Sequence, residues 1–273
     1  MGALDGYGAL VTGGGSGIGL ASAAALIADG ATVTICGRTQ ARLEAAAAEL
    51  GAGWVVADVT DEDQVRAAVA AATDRAGGLQ ITVACAGGSM HMGPITSSPL
   101  DQWRATVDVN VIGTFLTLKH AAPVMARGGG GSFVGMSSIA GTATHRYLSA
   151  YCVGKAGIDM LVRVAADELG PSKVRVNSVQ PGLVATELVA GIMTTDAVLE
   201  DYLAQMPIGR VGQPEDIAAL VRFLAGPEST WVTGQTIGID GGHHLRRGPD
   251  YTPFAEPLYG ADALRGLAPE DTP

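Results

Sequence analysis

Residues 12–19 read Thr12-Gly13-Gly14-Gly15-Ser16-Gly17-Ile18-Gly19. They follow a strand-like segment, Tyr7-Gly8-Ala9-Leu10-Val11-Thr12, and lead into an alanine-rich helical stretch that opens near Leu20. Glycines let the chain turn sharply and let backbone N–H groups approach an anion with no Cβ in the way. The positive end of the following helix faces the same anion. The spacing is not G-x-G-x-x-G, because counting from Gly13 puts Ile18 in the last place. It is T-G-x-x-x-G-x-G, carried by Gly13, Gly17 and Gly19. A glycine-rich turn with no ligand is the plain alternative, and the position between a strand and a helix weighs against it. The reading is a pyrophosphate cradle, with Gly13, Ser16, Gly17, Ile18 and Gly19 as contacts.

Working outward, short β-rich runs alternate with alanine-rich helical stretches. Thr32–Cys36, Trp54–Ala57, Ile81–Ala84, Ser132–Met136, Arg175–Val179 and Thr236–Ile239 read as buried strands, and Gln40–Leu50, Asp61–Ala76, Asp101–Ala126 and Ser149–Leu169 as helices. That rhythm predicts an α/β fold, a doubly wound parallel sheet with helices on both faces. Residues 1–242 are read as a single dinucleotide-binding and catalytic domain. Residues 183–213 have weak periodicity and should lie over the carboxyl ends of the strands, as a substrate lid. The tail, residues 243–273, carries Pro249, Pro253 and Pro257 and is not expected to form a regular element. A disordered end and an arm on a neighbouring subunit are the two readings left open.

Composition narrows the function. Seventeen Lys and Arg against twenty-seven Asp and Glu leave a formal charge of −10, and there is no basic run. Nucleic acid is therefore not an expected partner. Cys36, Cys85 and Cys152 are scattered, with no C-x-x-C pairing, and read as reduced thiols. No basic start with an apolar stretch precedes the first strand, and no apolar run reaches the roughly 20 residues of a membrane span. The expectation is a soluble, cytoplasmic protein that does not engage membranes. His243-His244 lacks carboxylate or thiol support, so no metal is expected.

Tyr151-Cys152-Val153-Gly154-Lys155 opens a helical stretch. Residues four apart share a helix face, so phenol and ammonium can point together. A nearby cation favours phenolate and should lower the tyrosine pKa, as should a bound oxidised nicotinamide. Tyr151 can then exchange a proton with a carbonyl or alcohol oxygen. Ser138, just past a strand, could hold that oxygen. Asn110 sits in an amphipathic helix, where one account of its amide is a bridging water that links Lys155 to solvent. The second strand ends Cys36-Gly37-Arg38, where an NAD binder is expected to carry an acid. Arg38 favours a 2′-phosphate, hence NADP, and NAD stays open because Ser16 adds no second charge. Asp58, with the Val59 amide, could meet the adenine, or could simply end a strand in a turn.

Together these residues resemble the short-chain dehydrogenase/reductase family, over residues 4 to about 242. The likeness also rests on Cys85-Ala86-Gly87, Ser137, Arg175-Val176-Asn177, Pro181-Gly182 with Thr186, and Gly234 to Gly242. It implies a Rossmann-type sheet of about seven strands, NAD(P) binding and a catalytic set of Asn110, Ser138, Tyr151 and Lys155. It places Lys155 on the nicotinamide ribose, Ala86 and Gly87 beside the cofactor, and Pro181, Gly182 and Thr186 at the nicotinamide end. The Arg38 position resembles NADP-preferring members. The family commonly forms homotetramers, so a homo-oligomer is expected. Cys85 stands where the family usually has asparagine, which puts local strand anchoring in question. The reaction implied is interconversion of a ketone and a secondary alcohol by hydride transfer. The alternatives are a dehydratase or isomerase of the same fold and a non-catalytic dinucleotide sensor.

The substrate is a small molecule. Ile95, Leu148, Leu183, Leu188, Val189, Ile192 and Met193 suggest an apolar pocket wall suited to a steroid-like alcohol, an acyl thioester or another hydrophobic ketone. His145, Tyr147, Met90, His91 and Met92 are further wall candidates, with no chemical role assigned to the histidines.

Overall fold

Seven strands lie side by side in the order β3-β2-β1-β4-β5-β6-β7, every neighbouring pair parallel. They are β1 (Gly8–Thr12), β2 (Thr32–Gly37), β3 (Gly53–Val56), β4 (Ile81–Ala84), β5 (Gly131–Met136), β6 (Val174–Pro181) and β7 (Thr236–Ile239). The computed structural model describes residues 2–267. The central strands β1 and β4 are buried along their whole length, because helices cover both faces.

The longer helices are α1 (Gly17–Ala28), α2 (Gln40–Leu50), α3 (Glu62–Ala76), α4 (Leu100–Val107), α5 (Gly113–Arg127) and α6 (Ser149–Leu169). After them come α7 (Ala190–Met193), α8 (Asp196–Gln205), α9 (Pro214–Ala225) and α10 (Thr252–Leu264). One apolar layer joins α1, α2 and α9 to the sheet through Leu26, Leu43, Ile217 and Val221. The other joins α3, α5 and α6 to it through Val69, Met125, Ile158 and Val162. Alanine at the contacts, such as Ala23, Ala72 and Ala121, lets helices approach the strands closely. β1 lies between β2 and β4, and the chain winds in opposite directions on its two sides. The crevice outside the carboxyl ends opens at this reversal.

Two expectations change. Residues 101–126 do not form one regular α-helix: α4 and α5 are joined by a π turn at Asp108–Ile112. The tail is regular after all. A short 3₁₀ turn at His243–Leu245 leads to α10, which bends at Gly260. Pro253 lies in the first turn of α10, where its missing N–H breaks no helix bond. The tail also packs on its own chain. Arg247 pairs with Asp201 of α8, Tyr251 is buried, and the Tyr259 hydroxyl donates to Met92 O at 3.0 Å. Residues 268–273, part of the same expectation, lie outside the described residues.

Candidate active site

The cradle turns into α1 with Ser16 at the N-cap. Gly17 sits at φ +51°, a left-handed conformation that favours glycine. A Cβ on Gly19 would lie 2.3 Å from Gly13 O, so the loop closes only without one. This bare-backbone turn at a helix N-terminus fits the pyrophosphate of a dinucleotide. It borders a cleft of about 530 Å³ at the carboxyl ends of the strands. Gly13, Ser16, Gly17, Ile18, Gly19, Arg38, Asp58, Val59, Ala86, Gly87, Tyr151, Lys155, Pro181, Gly182 and Thr186 all line it.

The reading from sequence missed Arg42. It lies in the first turn of α2, lines the cleft with the exposed Arg38, and pairs with Glu187, beyond β6, at 2.7 Å. Asp58 uses one carboxylate oxygen locally, where Oδ1 accepts from Thr60 N at 2.9 Å and from Thr60 Oγ1 at 2.8 Å. The turn reading therefore describes half of that carboxylate.

The loop after β4 is held despite Cys85. Thr12 Oγ1 accepts from both Cys85 N and Ala86 N at 3.1 Å, so threonine of the first strand anchors it. Asn110 clamps the next residues from the π turn. It is fully buried; its Nδ2 donates to Gly88 O and Thr106 O at 2.7 Å, and its Oδ1 accepts from Gly88 N at 3.3 Å. Thr114 Oγ1 donates to Asn110 O at 2.6 Å. The Asn110 side chain thus makes three hydrogen bonds to backbone, and its Oδ1 keeps a second lone pair.

Tyr151, Lys155 and Asp159 follow one another at four-residue spacing on the inner side of α6. Lys155 is buried, and its Nζ lies 5.4 Å from the Tyr151 ring centroid and donates to Met136 O at 2.8 Å. Burial pulls the Lys155 ammonium down to about 8, while Cys85 and Asp159 act to raise it. Burial likewise raises the Tyr151 phenol, against a lowering hydrogen bond with Ser138. Burial of Tyr151 thus outweighs the lowering expected from its neighbours. Lys155 is buried and Tyr151 half-buried, and desolvation disfavours the charged form of each. Cys85 is pushed up to about 12 by burial and stays a thiol at neutral pH. Asp159, buried and accepting from Ser178 Oγ at 2.8 Å and Gln180 Nε2 at 2.7 Å, was not singled out from sequence. Its spacing of four from Lys155 was the available signal.

A second cavity, about 260 Å³, adjoins the first. Ser138, Tyr151, Gly182, Leu188 and Val189 line both. Leu148, Leu183, Ile192 and His145 belong to its wall, as do Tyr251 and Phe254 from the tail. Met90 lines the larger cleft and Met92 the smaller. His91 packs instead edge-on against Tyr259, Ile95 is 73% exposed, and Tyr147 stacks under Arg146. Met193 is also largely outside the wall. His243 is buried with Nε2 2.9 Å from Arg247 O, and His244 meets Asp240. Among the described residues no group of three metal-ligating side chains is gathered, and no helix is long and apolar enough to cross a membrane.

Residues 13–244 match the family model described as enoyl-(acyl carrier protein) reductase. The chain belongs to the short-chain dehydrogenase/reductase family. Its members are NAD(P)-dependent oxidoreductases that act on CH–OH groups. A solved short-chain type dehydrogenase/reductase from Mycobacterium ulcerans is 49% identical, with a TM-score of 0.95 over 97% of this chain and 99% of that one. Trans-4-hydroxycyclohexanecarboxylate dehydrogenase from Sinomonas cyclohexanicum is 38% identical over 86% of this chain and 91% of its own length. A 3-alpha-(or 20-beta)-hydroxysteroid dehydrogenase from Mycobacterium bovis is 38% identical over 88% and 90%.

Proposed function

We propose that this short-chain dehydrogenase/reductase interconverts a ketone and a secondary alcohol in the smaller cavity, with NADP(H) in the larger cleft. One observation carries the reading: Ser138 and Tyr151 line both cavities, at their junction. A substrate oxygen beside these hydroxyls has its carbon next to the space left for the cofactor. The nicotinamide supplies the hydride for reduction and accepts it in oxidation.

The chain's own residues handle the proton and the positioning. In reduction the Tyr151 hydroxyl donates its proton to the carbonyl oxygen, and in oxidation the phenolate takes it back from the alcohol. Ser138 Oγ accepts from Ala140 N at 3.2 Å and is hydrogen-bonded to Tyr151, so the two hydroxyls meet the substrate oxygen together. Lys155, kept cationic near neutral pH, favours the phenolate form and lies where it can hold the ribose. Asp159 supports that charge from behind, and Asn110 positions the Gly88 loop. The cradle residues Gly13, Ser16, Gly17, Ile18 and Gly19 hold the pyrophosphate. Asp58 and Val59 face the adenine side. Ala86, Gly87, Pro181, Gly182 and Thr186 hold the nicotinamide end.

NADP is favoured over NAD because Arg38 and Arg42 both line the cleft where β2 ends. Two guanidiniums suit a 2′-phosphate. A non-catalytic sensor has no use for a phenol and an ammonium buried together at this junction. The lid is residues 183–213, which the tail closes from the other side. A homo-oligomer is favoured by Phe115 of α5 and Val153, Met160 and Val164 of α6, apolar yet 43–53% exposed. Three free cysteines suit a cytoplasmic location.

The test is a panel of cyclic and steroid ketones and their alcohols with NADPH, NADH and the oxidised cofactors, followed at the nicotinamide absorbance. Tyr151-dependent turnover is expected. Tight NADPH binding without turnover of any ketone or alcohol would overturn the reading.

A further inference from the structure

We infer that the smaller cavity selects an uncharged ring ketone that bears a second, remote hydroxyl, read by His145 together with the Tyr202–Tyr251 pair. This rests on the hydride-transfer reading above and adds the substrate class. At about 260 Å³ the cavity lies just below the roughly 300–1,000 Å³ usual for drug-sized ligands, so a compact molecule suits it. Leu148, Leu183, Leu188, Val189, Ile192 and Phe254 make most of the wall apolar.

The polar remainder is specific. Tyr202 and Tyr251 are 4% and 5% exposed, and their hydroxyl oxygens are 2.7 Å apart. Two hydroxyls carry two protons, and the bond between them uses one. The other makes no hydrogen bond among the described residues. His145, 6% exposed, has Nδ1 3.0 Å from Ala143 O. A carbonyl only accepts, so that nitrogen bears the hydrogen and Nε2 is a bare acceptor. It has no hydrogen bond among the described residues. The His145 ring lies 6.5 Å from Tyr202 and 6.4 Å from Tyr251, centroid to centroid. Ser89, also on the wall, spends its hydroxyl on His91 O at 2.7 Å.

One spare donor beside one bare acceptor matches a hydroxyl, which accepts and donates at once. A remote carbonyl would satisfy only the donor, and an apolar ring would leave both unpaired at a cost. A carboxylate is disfavoured, because no Lys or Arg lines this cavity and a desolvated anion needs one. Burial keeps His145 neutral and both phenols protonated. Tyr251 lies beyond the residues 13–244 that the family model matches, so this contact belongs to the chain's own tail.

The experiment compares cyclohexanone and 2-decalone with 4-hydroxycyclohexanone, 6-hydroxy-2-decalone and 4-oxocyclohexanecarboxylate. It uses the full-length enzyme with NADPH, and Tyr251→Phe and Tyr202→Phe beside the parent. The best hydroxylated ketone should exceed its plain counterpart in kcat/KM by about tenfold or more, and the ratio should fall towards one in Tyr251→Phe. Calorimetric binding of the same compounds to the NADPH complex should show the same ratio without turnover. A ratio near one in the parent enzyme, a ratio unchanged in both variants, or preference for the carboxylate would overturn the inference. Plain ketones turned over without discrimination would sink this inference alone. Selective binding with no turnover would sink the hydride-transfer reading and spare the pocket assignment.

Discussion

Lys155 Nζ lies 5.4 Å from the centre of the Tyr151 ring and gives a hydrogen bond to Met136 O. A buried cation is thus held beside a half-buried phenol by a backbone carbonyl, with Asp159 as a nearby carboxylate. Such an arrangement costs stability, and the cost depends on pH.

The Lys155 ammonium is lowered from 10.5 to about 8. Between those values the unfolded chain holds a proton that the folded one has released, so stability rises with pH from about 8 towards 10. Below about 8 the buried charge is carried in full. A shift of this size corresponds to about 3 kcal/mol. Lys155→Met should therefore unfold at higher urea at pH 7 while losing activity, and its stability should be flatter between pH 8 and 10. A variant less stable than the parent at both pH values would refute the assignment of the charge.

Asp159 raises Lys155, so Asp159→Asn should move the ammonium below about 8. The pH-dependent step in stability should shift down with it, and reductase activity at pH 8 should fall relative to pH 6.5. Urea titrations and rates at matched pH values check both. A step that stays put would reduce Asp159 to a bracket for Ser178 and Gln180.

Tyr151→Phe removes the proton donor but keeps the ring against Lys155. Turnover should drop by about 10²–10⁴-fold, with NADPH affinity within about twofold by fluorescence titration. Retained turnover would transfer the proton step to another group.

Many residues that line the cleft carry a local sequence signal. The cradle is local, so its glycine spacing reads directly. The ends of β4, β7, α2 and α6 follow hydrophobic period and breaker residues closely. What escaped depends on contacts between distant residues or on unusual backbone. The π turn at Asn110 reflects one widened helical turn that leaves the apolar period almost intact. Tyr202 and Tyr251 are 49 positions apart, and nothing local pairs them. Prolines in the tail were read as breakers, yet Pro253 initiates α10. Arg42 has no local sequence signal, because its partner Glu187 lies 145 positions away.

That pair bears on cofactor choice. Arg38→Ala and Arg42→Ala should each raise the KM for NADPH by about tenfold or more, since a hydrogen bond to a charged group contributes about 1.5–3 kcal/mol. KM for NADH should change by less than twofold. Glu187→Gln frees Arg42 from its ion pair and should tighten NADPH modestly, more so at low salt. Steady-state kinetics with both cofactors decide. Equal losses for NADH and NADPH would rule out recognition of a 2′-phosphate.

Phe115 and Val164 stand on α5 and α6, 43% and 48% exposed, on the helices that flank the catalytic face. Apolar side chains of this size, with Val153 and Met160 beside them in chain order, are expected to be covered by another copy. Phe115→Glu with Val164→Glu places charge on that surface and should shift the mass seen by multi-angle light scattering from oligomer towards monomer. Because α6 carries Tyr151 and Lys155, melting temperature and turnover should fall with the mass. A parent enzyme already monomeric at micromolar concentration, or a double variant of unchanged mass, would show that these residues face solvent for another reason.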